Sequence, residues 1–500
     1  MRGSFFVRSV FTYAMPPPSR SNTPAHARHA KLTEGPILPS LVTLAVPLVV
    51  ANVLQAAYQL IDAFWVGRLG GNAVAAVSVS FPVMFLCISL GLGFAIAGST
   101  LIAQYFGAKD HANVDHVASQ TILLIALISV FLGIVGYILS PLFLNALGVA
   151  PDVYGGALSF MRVSFIGLIF NFVFFMFQSV LRGVGEVKIP VYIVLGTVIL
   201  NFVLDPLFIF GWGPIPASGV AGAAIATVGT QSIAAIIGIF ILVGGKYSVR
   251  LHWRDLTPDW VYIKRAFRLG FPASIEGSAR ALGLIAMTFL ITSFGTVSMA
   301  AYGVGSNILQ VVMIPAIGLS MAIATLVGQN IGARNMERAA KIARLGSIVG
   351  FVALEAFGII VFFTAPFIVR FFVPSDEHVI EAGAIFLRII AFSWGFIGVQ
   401  FCLTAVFRAS GNMVMTMMLT LISQWVLQFP LAYILSKHTS MGIDGIWWSI
   451  PIANTLMGII VVLIYMKGDW KKKRLIESPQ ETKLAAETYQ GIVVDEPTRA

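Results

Sequence analysis

Residues 100–110 read TLIAQYFGAKD, and 225 positions later residues 325–335 read TLVGQNIGARN. Thr100, Leu101, Gln104, Gly107, Ala108 and Lys109 pair with Thr325, Leu326, Gln329, Gly332, Ala333 and Arg334. The register extends upstream without a gap over residues 44–110 and 269–335, pairing Pro47 with Pro272, Phe64 with Phe289, Gly70 with Gly295 and Gly93 with Gly318. With one added residue, Arg162 meets Arg388, Arg182 meets Arg408 and Gly185 meets Gly411. The chain is a duplication, the way many transporter folds are built.

Composition decides what is duplicated. Of the 500 residues, 58% are hydrophobic and only 11% charged, against about 25% charged in a soluble protein. Mean hydropathy is +0.88. A soluble enzyme and a disordered chain are both excluded, because one water-facing core could not hide that much apolar surface. At about 20 apolar residues per span, the charged and Gly/Pro-marked breaks predict twelve transmembrane helices. They cover 36–66, 73–106, 117–143, 157–183, 187–211, 217–244, 262–294, 298–330, 340–372, 379–407, 412–436 and 443–467.

The 225-residue shift contains six of these spans. Six is even, so both halves enter the membrane in the same sense and the repeat is parallel. The predicted organisation is all-α: a tail over 1–35, an N-lobe over 36–244, an inter-lobe loop over 245–261, a C-lobe over 262–467 and a disordered tail over 468–500. Lys and Arg stay on the cytoplasmic side. With both termini cytoplasmic, 26 of the 32 basic residues fall there, which accounts for the net charge of +10 without a nucleic-acid partner. Arg8 interrupts any signal-peptide core, so the first segment reads as a cytoplasmic tail.

Enzymatic signatures are missing. Cys87 and Cys402 lie far apart in apolar runs, suited to neither a disulfide nor a metal site. The seven histidines occupy tails, loops or span edges, leaving proton transfer to carboxylates. The Gly244-Gly245-Lys246 run is followed by Tyr247 instead of the Ser or Thr of a phosphate-binding loop. No cofactor and no catalytic residue are expected.

Function is better sought where the halves differ. Asp62 has Met287 as its repeat partner, and Asp205 has Leu431. An ionisable group at membrane depth costs several kcal/mol unless protonated, paired or hydrated, so each marks a site. Asn52, Gln55, Gln59 and Asp62 share one helix face, as do Thr197, Asn201 and Asp205. At about 1.5 Å per residue, Asp62, Asp205 and Thr227 lie ~6, ~9 and ~15 Å from the outer helix ends. The expected cavity is lined by Gln55, Tyr58, Gln59, Asn171 and Gln178. In the C-lobe, Glu276 stands four residues before Arg280, the spacing of an intrahelical ion pair. Glu355 has no sequence-local partner.

Several stretches together resemble the multidrug and toxic compound extrusion (MATE) family, in particular its prokaryotic branch like DNA-damage-inducible protein F. They are IDAFWVGRLG with Pro47 upstream of Asp62, QYFGAKD, LRGVGE, NFVLDPLFIFG and GVAGAAIAT, with GQNIGARN and FRASGN in the second half. The resemblance implies an antiporter of the plasma membrane that exports cationic amphipathic compounds against H+ or Na+ by alternating access, sufficient as a monomer. Matched residue by residue, Asp62, Asn201, Asp205 and Thr227 fall on that branch's proton or cation site, where Na+ would also bind, and Pro47 on its first-helix bend. The tenth span carries only Glu381, at its edge, so a C-lobe Na+ site of the other bacterial branch is not expected. The alternative within the superfamily is a flippase for lipids or lipid-linked oligosaccharides, which calls for a more cationic cavity.

Overall fold

The computed structural model describes residues 32–476, with the exception of 375. Among these, helices α1 (Ile37–Gly67), α2 (Gly71–Gly107), α3 (His111–Ala146), α4 (Pro151–Gly183), α5 (Lys188–Phe210) and α6 (Gly219–Gly244) form the first half. Helices α7 (Trp260–Thr292), α8 (Thr296–Gly332), α9 (Met336–Phe372), α10 (Glu377–Ala391), α11 (Trp394–Ala409), α12 (Met413–Lys437) and α13 (Ile443–Met466) form the second. Eleven are long and apolar enough to cross a membrane, and α10 with α11, bent by 48° at their junction, pass the same test together. Much of the rest of each surface is apolar and exposed, including Phe131, Phe240, Phe289 and Phe367, as expected of a chain whose solvent is lipid.

The break in the tenth span and Glu355 explain each other. Glu355 on α9 accepts a 2.9 Å hydrogen bond from the backbone N–H of Gly395, in the first turn of α11. A carboxylate there satisfies an orphan donor and suits the positive end of the helix dipole. The partner that sequence inspection could not supply is thus forty positions on, beyond α10. A second irregularity interrupts α12, where Ile422–Gln428 is π-helical immediately before Pro430. Proline lacks the N–H that would continue the regular ladder.

The repeat is a repeat of turn geometry. Lys109 and Arg334 both adopt φ 60°, and each is followed by a helix N-cap, Asp110 accepting from Asn113 N and Asn335 from Arg338 N. Gly185 and Gly411 both stand at φ 82°, a left-handed conformation that glycine adopts without steric penalty.

The lobes meet through α1 and α2 of one against α7 and α8 of the other. Lipid offers no hydrophobic drive for helix association, so close approach over small residues carries the contact. A Cβ on Gly107 would lie 1.9 Å from the Gln329 carbonyl oxygen, and one on Gly332 would lie 1.9 Å from that of Gln104. The two glutamine side chains cross the seam in the same pseudo-symmetric way. Gln104 donates to Ala409 O (2.7 Å) and Gln329 to Gly183 O (3.0 Å). Further cross-lobe bonds join Arg265 to Tyr105 near the same end, and Ser89 to Ser278 and Ser274 to Leu90 O midway along α2 and α7. Toward the α1–α2 and α7–α8 turns, Phe81, Phe85, Leu282 and Phe289 are exposed instead.

One sequence expectation needs correcting here. Residues 468–476, read as the start of a disordered tail, are docked on the closed seam. Trp470 is buried against Tyr465, Leu475 N donates to Gln104 Oε1, and Arg474 Nη2 donates to Gly332 O. Apolar Trp470, Leu475 and Ile476 explain the docking, since they gain by leaving water. Residues 477–500, like 1–31, lie outside those described.

Candidate functional site: a carboxylate pair in the N-lobe

Helix α5 packs against both α1 and α6, and the polar faces of the three converge. At the centre stands Asn201, fully buried on α5. Its Nδ2 donates to Asp62 Oδ1 on α1 (2.5 Å) and to Asp205 Oδ2 one turn along α5 (2.9 Å). Its Oδ1 accepts from the Tyr58 hydroxyl at 2.7 Å. Thr227 Oγ1 on α6 donates to Asp62 Oδ2 at 3.2 Å, and Thr230 lies 2.6 Å from the Tyr58 hydroxyl. Asp205 is fully buried, and its second oxygen, Oδ1, has no hydrogen-bond partner among the described residues.

The local sequence explains this convergence. Asn201 and Asp205 are four apart and therefore stacked on one helix face, as are Tyr58 and Asp62. One amide offers two donors and one acceptor group, which here serve two carboxylates and a phenol. The arrangement leaves two acids sharing one neutral amide, with Thr227 as the further donor to Asp62 and no basic side chain in hydrogen-bond contact among the described residues. Such a pair needs neutralising by a proton or a bound cation.

The four predicted coupling residues, Asp62, Asn201, Asp205 and Thr227, are brought together. Of the expected cavity lining, Tyr58 joins the network directly, whereas Gln59 is exposed; Asn52, on the same polar face of α1, folds back onto Leu48 O at 2.8 Å. Gln55, Asn171 and Gln178 are half-buried and make no hydrogen bond to the cluster among the described residues. Thr230, three positions after Thr227 on α6, becomes part of the network only once its helix is placed beside Tyr58. Pro47 lies inside α1, fifteen positions before Asp62. No group of three or more His, Cys, Asp or Glu side chains that could hold a metal ion occurs among the described residues.

The expected C-lobe ion pair of Glu276 and Arg280 is present, and it gains a third member. Glu276 Oε1 is in contact with Arg408 Nη2 from the end of α11, while Arg280 Nη2 stands farther off, at 3.7 Å. Arg408, assigned from the sequence to a cytoplasmic loop, thus turns its guanidinium back into the lobe. The reason is that the buried carboxylate attracts a second cation that a linear reading cannot place.

Comparison with known proteins agrees with this architecture. A model of the MatE family matches residues 47–207 and 272–434, one match in each half. The chain is 30% identical over 440 residues to a probable multidrug resistance protein, YoeA, of Bacillus subtilis, covering 87% of this chain and 95% of that one. It is 27% identical to the probable multidrug resistance protein NorM of Thermotoga maritima, covering 87% and 94%. A solved MOP-superfamily transporter from Pyrococcus furiosus superposes with a TM-score of 0.81 at 25% identity, covering 89% of this chain and 99% of the other. The duplicated helical lobes, the sparse buried charge and these matches have one reading: the chain is a multi-pass integral membrane protein of the plasma membrane, a transporter and not an enzyme, and it belongs to the MatE family.

Proposed function

We propose that this transporter is a multidrug efflux antiporter that exports cationic amphipathic compounds in exchange for protons, with Na+ as the alternative coupling ion at the same four residues. The observation that carries this reading is the single Asn201 amide bonded to both Asp62 and Asp205. Adding a proton or Na+ to this pair changes which oxygens Asn201 and Thr227 can serve, and so couples site occupancy to the packing of α1 against α5 and α6. The names of the relatives support the drug-export part. With both termini cytoplasmic, the seam at Gly107 and Gly332 is the cytoplasmic closure. Protonation from outside would then release a bound cation, and deprotonation toward the cytoplasm would restore the negative site. One chain contains both lobes, which supports a monomer as the working unit.

The test uses proteoliposomes loaded with a fluorescent cation under separate proton and sodium gradients. Asp62→Asn is expected to abolish gradient-driven counterflow. Full counterflow in that variant would overturn the coupling role of the pair, and acceleration by sodium alone would assign the ion as Na+.

A further inference from the structure

The C-lobe carries a buried charge cluster of the opposite balance. Glu276 is almost fully buried on α7, and both Arg408 and Arg280 face it. One carboxylate therefore answers two guanidinium groups, and Glu276 and Arg408 are the charged groups acting on Arg280. The cluster is not part of the duplicated scaffold. Arg408 has Arg182 as its counterpart, but Glu276 corresponds to Ala51 and Arg280 to Gln55. A net positive charge at this depth is costly unless a counter-charge reaches it.

Arg280 is the member free to receive one. Its 3.7 Å separation from Glu276 exceeds hydrogen-bond distance, and it makes no hydrogen bond among the described residues. Its contacts, Glu276 and the Phe401 ring 5.0 Å away, belong to the inside of the lobe, yet 38% of its side chain is accessible. The guanidinium is therefore left partly accessible beside the cluster. Behind it, Arg408 Nε is buried without a partner among the described residues, and Trp425 is fixed by its 3.3 Å bond to Ala279 O. A planar fork of donors beside an aromatic ring suits a carboxylate or phosphate oxygen pair on an aromatic scaffold.

We propose that Arg280, backed by Arg408 and Phe401, binds the oxyanion group of a transported amphiphile, so that the carrier accepts zwitterions as well as simple cations. This rests on the reading of the chain as an exporter of amphipathic compounds, and not on the coupling role of Asp62. The N-lobe site answers the positive end of such a substrate and the C-lobe site the negative end.

A matched pair of dyes tests it: rhodamine B, a zwitterion with a free carboxylate, and its ethyl ester, a cation of nearly the same shape. Binding to the purified protein in detergent is followed by fluorescence polarisation. Arg280→Gln is expected to weaken rhodamine B about tenfold or more, the scale of a lost charge-assisted bond, and to leave the ester within about twofold. Arg280→Lys, which keeps the charge and loses the fork, should weaken rhodamine B by less and again spare the ester. It carries the test if Arg280→Gln fails to elute as a folded monodisperse species. Equal effects on both dyes, or none on either, would overturn the proposal. Asp62→Asn measured alongside separates the two readings, since it should abolish coupled transport while preserving the preference set by the carboxylate.

Discussion

Asn201 is a residue on which a small change has a calculable effect. Its amide satisfies two carboxylates and a tyrosine hydroxyl. Asn201→Ala deletes both donors and leaves buried acceptors unpartnered, at a cost of about 1–3 kcal/mol. The expected result is a lower melting temperature of the detergent-solubilised protein, together with loss of gradient-driven transport. A stability within about 0.5 kcal/mol of the parent would mean that water replaces the amide, and that Asn201 is not the hub described. Both acids were legible because an isolated Asp in an apolar helix stands out. Tyr58 and Thr230 were less so, because a Tyr or Thr on such a helix is ordinary and becomes part of a network only when its helix is placed.

Between the lobes, the linker is held by polar contacts rather than by lipid. His116 on α3 lies 3.1 Å from Asp259, the N-cap of α7, and 3.5 Å from Asp255. Gln120 donates to Asp255 O and Thr257 O, both at 2.6 Å. Burial works to raise the Asp259 carboxyl. The His116 hydrogen bond, the backbone N–H groups of Tyr262 and Val261 and the His116 charge outweigh it, and hold the group below the usual carboxylate range. A carboxyl depressed in the folded state contributes stability above its unfolded value, about 3.9, and loses it as pH falls through the folded value. The melting difference between the parent and Asp259→Asn should therefore be lost as pH falls from about 4 through the folded value. A difference unchanged by acidification to about pH 2 would show that the Asp259 charge carries no such stability. Helix α10–α11 makes a related point. Its span was predictable from length and hydropathy, but its bend depends on Glu355, forty positions away.

At the scale of the molecule, function depends on how the two lobes close. The reciprocal approach of Gly107 to Gln329 O and of Gly332 to Gln104 O leaves no room for a methyl group. Gly332→Ala should shift the lobes away from this closed seam by about 1–3 kcal/mol, the range for overpacking a tight contact. Spin labels on the α2–α3 and α8–α9 turns, in a background lacking Cys87 and Cys402, should report a longer and broader distance distribution. Unchanged distances would show that the backbone adjusts without parting the lobes.

The sequence by itself determined that the chain lies in a membrane, that it is a parallel duplication of six spans, and that Asp62 and Asp205 are its exceptional N-lobe residues. These properties are local or periodic: apolar length, repeat register, and charge where lipid forbids it. Only the tertiary structure decided that one amide joins both acids, that Glu276 answers Arg408 before Arg280, and that the segment from Gly468 to Ile476 seals the seam. Each of these depends on side chains 132 or more positions apart, or on helices from different halves. Their contacts are set by the angles at which helices pack over small residues, a quantity that no linear pattern encodes.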